Sequence, residues 1–507
     1  MPDANTALLA VRPSQTRLSP DTLRRLPQAV ERPAYDRTAV TPGIVHIGLG
    51  AFCRAHLATY TDDVLATGET DWGIVGVDPL SPAIRDALKP QDCLYTLLVR
   101  EGTRDRLRVV GSFLDAMATA DQLGEVLALT AKPEIRIVTL TVTEKGYCQD
   151  AATGSLDEAH PLIRADLADP TAPRSVPGLL CEAIRRRRAA GQPPFTVLVC
   201  DNLAQNGIKV KGIVVRYAEL RDPELAAYIA KQVSFPCTMV DRITPATQDA
   251  DRATVDAALG CADAWPVVTE PFKQWVIEDR FPLGRPAWEK AGAILVDDVH
   301  PFELMKLRCL NGAHSLLAYL SVIAGIETIA DAMADPQLPA VMRRLWASDL
   351  IPTLPPVPGT DIPAYTAALE ARFRNPGIRH RTIQISSDGS QKLPPRLLEP
   401  ASELIATGKV PAVIPLAVAA WMRFLLEKDE AGNAYTVADP MAATLTRIAR
   451  VHAGDAGALA AALFAIEDIF APDLVAEAGF RDAVVRHLDS LMTVGVARTL
   501  TAILANP

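Results

Sequence analysis

The chain has 507 residues, more than one core of ordinary size accommodates, so two or more domains are expected. Apolar residues make up 49% and charged residues 22%, the balance of a soluble globular protein, and a formal net charge of −9 argues against a general nucleic-acid binder. The eight cysteines, at 53, 93, 148, 181, 200, 237, 261 and 309, form no C-x-x-C and no regular spacing; this argues against a disulfide framework and points to a reducing cytoplasm. Ala7-Leu8-Leu9-Ala10-Val11 is too short for a signal-peptide core. The longest apolar run, Val410 to Met422, is interrupted by Pro411 and Pro415 and stops at Arg423, too short to span a bilayer, so no membrane partner is expected.

In chain order, residues 1–40 are polar and proline-containing, an arm expected to pack on the surface. Ile44-Val45-His46-Ile47 reads as a short strand running into Gly48-Leu49-Gly50, and a helical pattern follows from about Phe52 to Leu65. Trp72 to Asp78 is a second strand ending in an acid. Leu107 to Gly111 and the β-branched stretch Ile135 to Val142 are further strands, and Thr196 to Cys200 is another, ending at Asp201-Asn202. Arg185 to Arg188 reads as the solvated end of a helix capped by Gly191. Val267 to Thr269 and Ile294 to Val296 complete this part. Strands alternating with helices predict an α/β fold built on a doubly wound, mainly parallel sheet. After His300-Pro301 the pattern changes to long Ala/Leu-rich helical segments with no convincing strand, and Ile351 to Pro363 is a loop. The boundary is placed near residue 296, giving domains 1–296 and 297–507.

The segment Lys306-Leu-Arg-Cys-Leu-Asn311-Gly-Ala-His314-Ser315 is the most informative. On an α-helix with Lys306 at zero, Glu303 falls near 60°, His314 near 80° and Asn311 at about 140°, so all four fan over one side. Such a cluster can hold a proton acceptor, an amide donor to a substrate oxygen and a second donor. The alternative is a polar face turned to water. Leu307, Leu310, Leu316, Leu317 and Leu320 argue instead for a buried helix, in which polar groups need partners or a task.

Gly48-x-Gly50 between a strand and a helix is half of a dinucleotide fingerprint or simply a turn; Arg54 stands where the third glycine would be. Asp78 is placed to accept hydrogen bonds from the adenosine ribose, or to cap a helix before Pro79. Asp201-Asn202 and Thr143-Glu144-Lys145-Gly146 lie at strand ends, where ligands sit in open α/β sheets and where Asx-turns also occur. Asp241 reads most simply as an ion pair or a cap. His56, His160, His452 and His487 have no metal-ligand spacing, and no hydrolase, Walker or kinase motif is present.

Together, IVHIGLGAFCRAH (44–56), TVTEKGYC (141–148), VLVCDNLAQNG (197–207), DRITPAT (241–247), EPFKQWVIEDRF (270–281), KLRCLNGAHS (306–315) and DGSQKLP (388–394) resemble the polyol-specific long-chain dehydrogenase/reductase family, also called the mannitol dehydrogenase family. The resemblance implies a Rossmann-type N-terminal domain, a mainly α-helical C-terminal domain, and metal-independent oxidation of a secondary alcohol with a nicotinamide cofactor. It implies that Lys306 is the general base, that Asn202 and Asn311 hold the reacting oxygen, that His314 positions the substrate, and that Glu303 links the lysine to water. Gly48, Gly50, Phe52, Arg54, Asp78 and Glu144 make up the expected cofactor site, and Asp241, Lys392, Gln384 and Lys145 the expected substrate contacts. Cys53 occupies a place that is often His in the family, and Lys145 and Gln384 depart from the mannitol pattern, which favours D-mannonate/D-fructuronate over D-mannitol/D-fructose. Asp78 favours NAD over NADP. A small-molecule sugar acid or polyol is the expected partner, in a monomer or weak oligomer.

Overall fold

The structure of the protein, a computed structural model, describes residues 16–102, 104–150 and 153–505. Ala7–Val11 and the first part of the expected arm lie outside the described residues. The chain forms two compact units, Met1–Val299 and His300–Pro507.

The first unit carries the strands β1 (Pro42–Ile47), β2 (Gly73–Asp78), β3 (Tyr95–Glu101), β4 (Arg104–Val110), β5 (Phe113–Ala118), β6 (Ile137–Leu140), β7 (Thr196–Val199), β8 (Thr238–Asp241), β9 (Val267–Thr269), β10 (Gln274–Glu278) and β11 (Ile294–Val296). Five of them form a parallel sheet in the order β5-β2-β1-β6-β7. The chain winds outward from β1 through β2 to β5, then returns to the other side of β1 with β6 and β7. The reversal between β1 and β6 creates the crevice where such sheets bind ligands. Val45, Ile47, Val138, Leu140, Val197 and Val199 pack against one layer; Ile44, Ile74, Ile137 and Leu198 pack against the other. With both faces covered, these strands read as continuous apolar runs instead of alternating ones.

Two three-stranded sheets, β11-β10-β8 and β4-β3-β9, flank the main one. The described part of the arm is fastened down, with Leu18, Leu26 and Val30 buried against Leu94, Leu98, Val109, Val255 and Leu259.

Two expectations are corrected here. The helix expected from Phe52 to Leu65 is two helices, Ala51–Ala55 and Leu57–Leu65, broken at His56 (φ −111°, ψ −92°). The break buries the His56 ring, whose Nε2 bonds Gln274 O at 2.8 Å. The arginine run is not simply solvated. Arg187 is fully buried and donates to the carbonyls of Pro193, Thr130 and Lys132 at 2.6, 3.0 and 2.8 Å. Arg185 and Arg186 join Arg221 around the buried carboxylate of Glu182.

The second unit is helical, and among the described residues its only β-type pairings are the bridges Thr328–Arg381 and Lys428–Ala434. Every residue of helix Ala313–Ile323 is buried, and helix Ile414–Phe424 is buried apart from Arg423, so the long apolar run is buried from Val413 onward, while Val410 and Ala412 at its start are exposed. Among the described residues no helix is long and apolar enough to cross a membrane. All eight cysteines are buried, and none forms a disulfide among the described residues.

Three stretches of the second unit, Lys306–Gly312, Trp346–Leu350 and Pro394–Leu398, are π-helical. They converge on Gly312, where an added Cβ would lie 3.2 Å from Arg396 O, 3.3 Å from Leu350 Cδ1 and 3.5 Å from Leu397 Cδ2.

Candidate active site

β1 delivers Gly48 to the crevice at a φ of +99°, and a Cβ there would lie 2.1 Å from Thr141 O, so only glycine fits. Gly50 differs. An added Cβ would meet nothing closer than Gly48 O at 3.8 Å, which leaves its outer face open to a ligand. His46 ties β1 to β6 beneath this turn: Nδ1 bonds Thr139 Oγ1 at 2.8 Å, and Nε2 lies 3.0 Å from Gly48 O and 2.9 Å from Thr141 Oγ1. Burial lowers its pKa to about 4, so the ring is neutral at pH 7. One glycine demanded by conformation beside another with open approach fits a pyrophosphate cradle.

Arg54 requires a correction. It is 1% exposed; Nε donates to Gly50 O at 3.1 Å, Nη1 donates to Trp265 O, and the guanidinium lies over the Tyr95 ring. It fixes the glycine turn from the interior and is not an exposed cofactor contact. Phe52 is half-buried and stacks on His56 at 5.0 Å.

At the end of β2, Asp78 is 8% exposed, and its Oδ1 accepts the N–H groups of Leu80 and Ser81 at 2.9 and 3.1 Å. The next helix starts at Ala83, so Asp78 shapes a loop and does not cap that helix. Nearby Arg85 is occupied by Asp86 at 2.8 Å, Asp121 at 2.6 Å and Gln122 at 3.0 Å.

After β7, Asp201 and Asn202 divide their work. Asp201 accepts the N–H groups of Val142 and Thr143 at 3.0 and 2.9 Å and the Tyr147 hydroxyl at 2.6 Å. Burial raises its pKa, and these donors oppose the rise. It braces the loop after β6, on which Glu144 and Lys145 are exposed. Asn202, the next residue, is exposed at the strand end. Asn206 anchors the turn, donating to Val199 O at 3.1 Å and Thr238 O at 2.9 Å. Gly48, Asp78, Glu144, Lys145 and Asn202 therefore all sit at the carboxyl ends of the main sheet, whereas Asp241 is buried at the end of β8 in a flanking sheet.

In the second unit, Glu303 lies on helix His300–Met305, Lys306 and Asn311 on the π-helical stretch, and His314 on the helix that follows. The α-helical projection of these residues is corrected. In a π turn the N–H of residue i+5 returns to the carbonyl of residue i, so residues five apart lie closer in angle around the axis than on an α-helix. Lys306 and Asn311 are five apart, so the widened turn reduces the angle between them relative to the α-helical projection. Its carbonyls gain side-chain donors: Trp346 Nε1 to Cys309 O at 2.7 Å, and both Ser315 Oγ and Arg396 Nη1 to Asn311 O at 3.1 and 3.3 Å.

His314 is 6% exposed, stacks on Phe373 at 4.2 Å, and stands edge-on to His380 at 5.5 Å. Burial holds its pKa well below the ordinary value, helped by His380, Arg372 and Arg396. Lys392 donates to Ser387 Oγ at 3.0 Å and lies 3.4 Å from Asp388; burial lowers its pKa. Gln384 is exposed on the short helix Thr382–Ile385. Among the described residues no group of three His, Cys, Asp or Glu is arranged to hold a metal.

Residues 42–290 match the mannitol dehydrogenase Rossmann domain, and residues 298–492 match the mannitol dehydrogenase C-terminal domain. The chain belongs to the mannitol dehydrogenase family. It is 44% identical to the D-mannonate oxidoreductase of Escherichia coli (strain K12) over 478 residues, 94% of this chain and 98% of that one. It is also 44% identical to a mannitol 2-dehydrogenase of Cereibacter sphaeroides over 416 residues, 82% of this chain and 87% of that one. The structure of Pseudomonas fluorescens mannitol 2-dehydrogenase in a ternary complex with NAD and D-mannitol matches with a TM-score of 0.85 at 42% identity, covering 97% of this chain and 100% of that one. Within this mannitol dehydrogenase fold, three features escaped the sequence reading: the His46 clamp, the bracing role of Asp201, and Arg396. A histidine inside an apolar strand was a signal for the first. The other two depend on contacts between distant segments.

Proposed function

We propose that this member of the mannitol dehydrogenase family is an NAD-dependent oxidoreductase that interconverts D-mannonate and D-fructuronate. The observation that carries the substrate choice is the pair Lys145 and Gln384, which depart from the mannitol pattern. Overall identity does not divide the two substrates, being 44% to both the E. coli D-mannonate oxidoreductase and the C. sphaeroides mannitol 2-dehydrogenase. The P. fluorescens relative with NAD and D-mannitol supports the cofactor; its bound sugar alcohol keeps D-mannitol/D-fructose as the second reading.

Gly48, Gly50, Phe52, Asp78 and Glu144 are the residues assigned to hold the cofactor, which supplies the hydride acceptor or donor. Lys306 takes the hydroxyl proton in oxidation and returns it in reduction. Asn311 and Asn202 donate hydrogen bonds to the oxygen as its charge develops, a contribution of about 3 kcal/mol for a well-placed donor. His314, kept neutral by burial, orients a substrate hydroxyl without adding charge. Glu303 passes the proton between Lys306 and water, and Asp241, Lys392, Gln384 and Lys145 contact the rest of the substrate. The test is kcat/KM for D-fructuronate against D-fructose with NADH at matched pH and salt. A clear preference for fructose would move the assignment to a polyol dehydrogenase.

A further inference from the structure

We propose that Arg396, with Lys392 and His380 beside it, holds the carboxylate of the substrate and selects a sugar acid over a polyol. This rests on the sugar-acid reading above and names the residue that would enforce it.

Arg396 sits on the π-helical stretch Pro394–Leu398. Its hydrogen bonds are to neutral oxygens: Nη1 donates to Ser315 Oγ at 3.1 Å and to Asn311 O at 3.3 Å. Among the described residues no carboxylate pairs with it. Asp388, the acid whose charge acts on Arg396, pairs with Lys392 at 3.4 Å, and Asp439 is taken up by Ser390 and Met441. Arg396 and Lys392 therefore bring two cations against one engaged carboxylate. A partly buried guanidinium without a counter-charge costs free energy unless something anionic arrives.

Two further groups around it are unsatisfied. His314 Nε2 and His380 Nδ1 are buried and have no hydrogen-bond partner among the described residues, and their rings lie 5.5 Å apart. His314 also belongs to the cluster that includes Asn311, whose carbonyl Arg396 touches. A guanidinium forks onto a carboxylate through two parallel N–H bonds, a geometry that a hydroxyl cannot reproduce. A polyol would leave the guanidinium unpaired, whereas a hexonate would neutralise it.

The experiment compares Arg396→Gln and Arg396→Lys with the wild type in the full-length enzyme. Thermal unfolding and NADH binding establish that each variant folds. The readout is the ratio of kcat/KM for D-fructuronate to that for D-fructose. The ratio is expected to fall by about 30-fold or more in Arg396→Gln, mainly through KM for fructuronate, with partial recovery in Arg396→Lys. Equal losses for both substrates would reduce Arg396 to a prop for Asn311 and overturn the proposal. So would inorganic phosphate competing with fructuronate far better than acetate does, which would assign the recess to a phosphate. The wild-type ratio separately tests the substrate reading: a wild type that prefers fructuronate and a variant that keeps its ratio would overturn only the Arg396 assignment.

Discussion

Asp201 Oδ1 accepts the N–H of Thr143 at 2.9 Å and so holds a β-branched residue at a φ of +62°. Left-handed backbone at such a residue persists only where its surroundings enforce it. Asp201→Ala would strand the N–H groups of Val142 and Thr143 and the Tyr147 hydroxyl. The expected loss is about 3 kcal/mol, from unsatisfied donors, together with weaker NADH binding as the loop after β6 relaxes. Denaturant unfolding with fluorescence titration of NADH measures both. An Asp201→Ala variant with wild-type values for each would show that the loop holds its own shape.

Lys306→Ala should lower kcat by orders of magnitude and leave NADH affinity nearly intact, because the lysine is assigned to proton transfer and not to the nucleotide. Alcohol oxidation by the wild type should rise with pH as the base is freed of its proton. Retention of more than about a tenth of wild-type turnover, a change of less than ~1.4 kcal/mol in the barrier, would remove Lys306 from that role.

NAD should be preferred over NADP. Asp78 presents a carboxylate at the end of β2, and Arg85, the cation that could have offset it, is spent on Asp86 and Asp121. A 2′-phosphate would meet repulsion without a free counter-charge. Asp78→Ala should raise relative kcat/KM with NADP, although the loop N–H groups of Leu80 and Ser81 then lose their acceptor. Equal use of the two cofactors by the wild type would contradict this assignment.

Acid should destabilise the first unit. Burial depresses the His46 pKa from 6.5 to about 4. Between those values the unfolded chain binds more protons than the folded one, so stability rises with pH through this window and is lost as pH falls from 6.5 toward 4. The slope is about 1.4 kcal/mol per pH unit for each such histidine. His56, lowered to about 3, acts in the same sense. Tm should drop between pH 7.5 and pH 5, with a shallower drop in His46→Gln. A flat Tm over this range would mean that these rings accept protons within the fold.

β1 and β7 were legible because their burial on both faces leaves an unbroken apolar run. β3 and β10 were not, since Tyr95–Glu101 and Gln274–Glu278 mix charged or amide residues with apolar ones on short flanking sheets. Arg54 read as a cofactor contact and Arg187 as a surface residue because the carbonyls that satisfy them, such as Trp265 O and Thr130 O, lie 211 and 57 positions away. The site shows the same division. The spacing of Lys306, Asn311 and His314 marked the chemistry, but nothing in K-L-R-C-L-N-G announces a π turn. Its freed carbonyls are met by Trp346 and Arg396, 37 and 85 positions away from the residues they serve.

The distribution of thiols turns the protein into its own reporter. Seven of the eight buried cysteines lie in the first unit, and Cys309 alone lies in the second, in the turn that carries Lys306. A thiol reagent added to the native enzyme reacts only when the fold opens. Its progress curve therefore separates by stoichiometry: one equivalent follows the breathing of the turn around Lys306, and seven follow the opening of the nucleotide-binding half. Oxidative cross-linking divides in the same way, because Cys309 has no second thiol within its own unit to pair with.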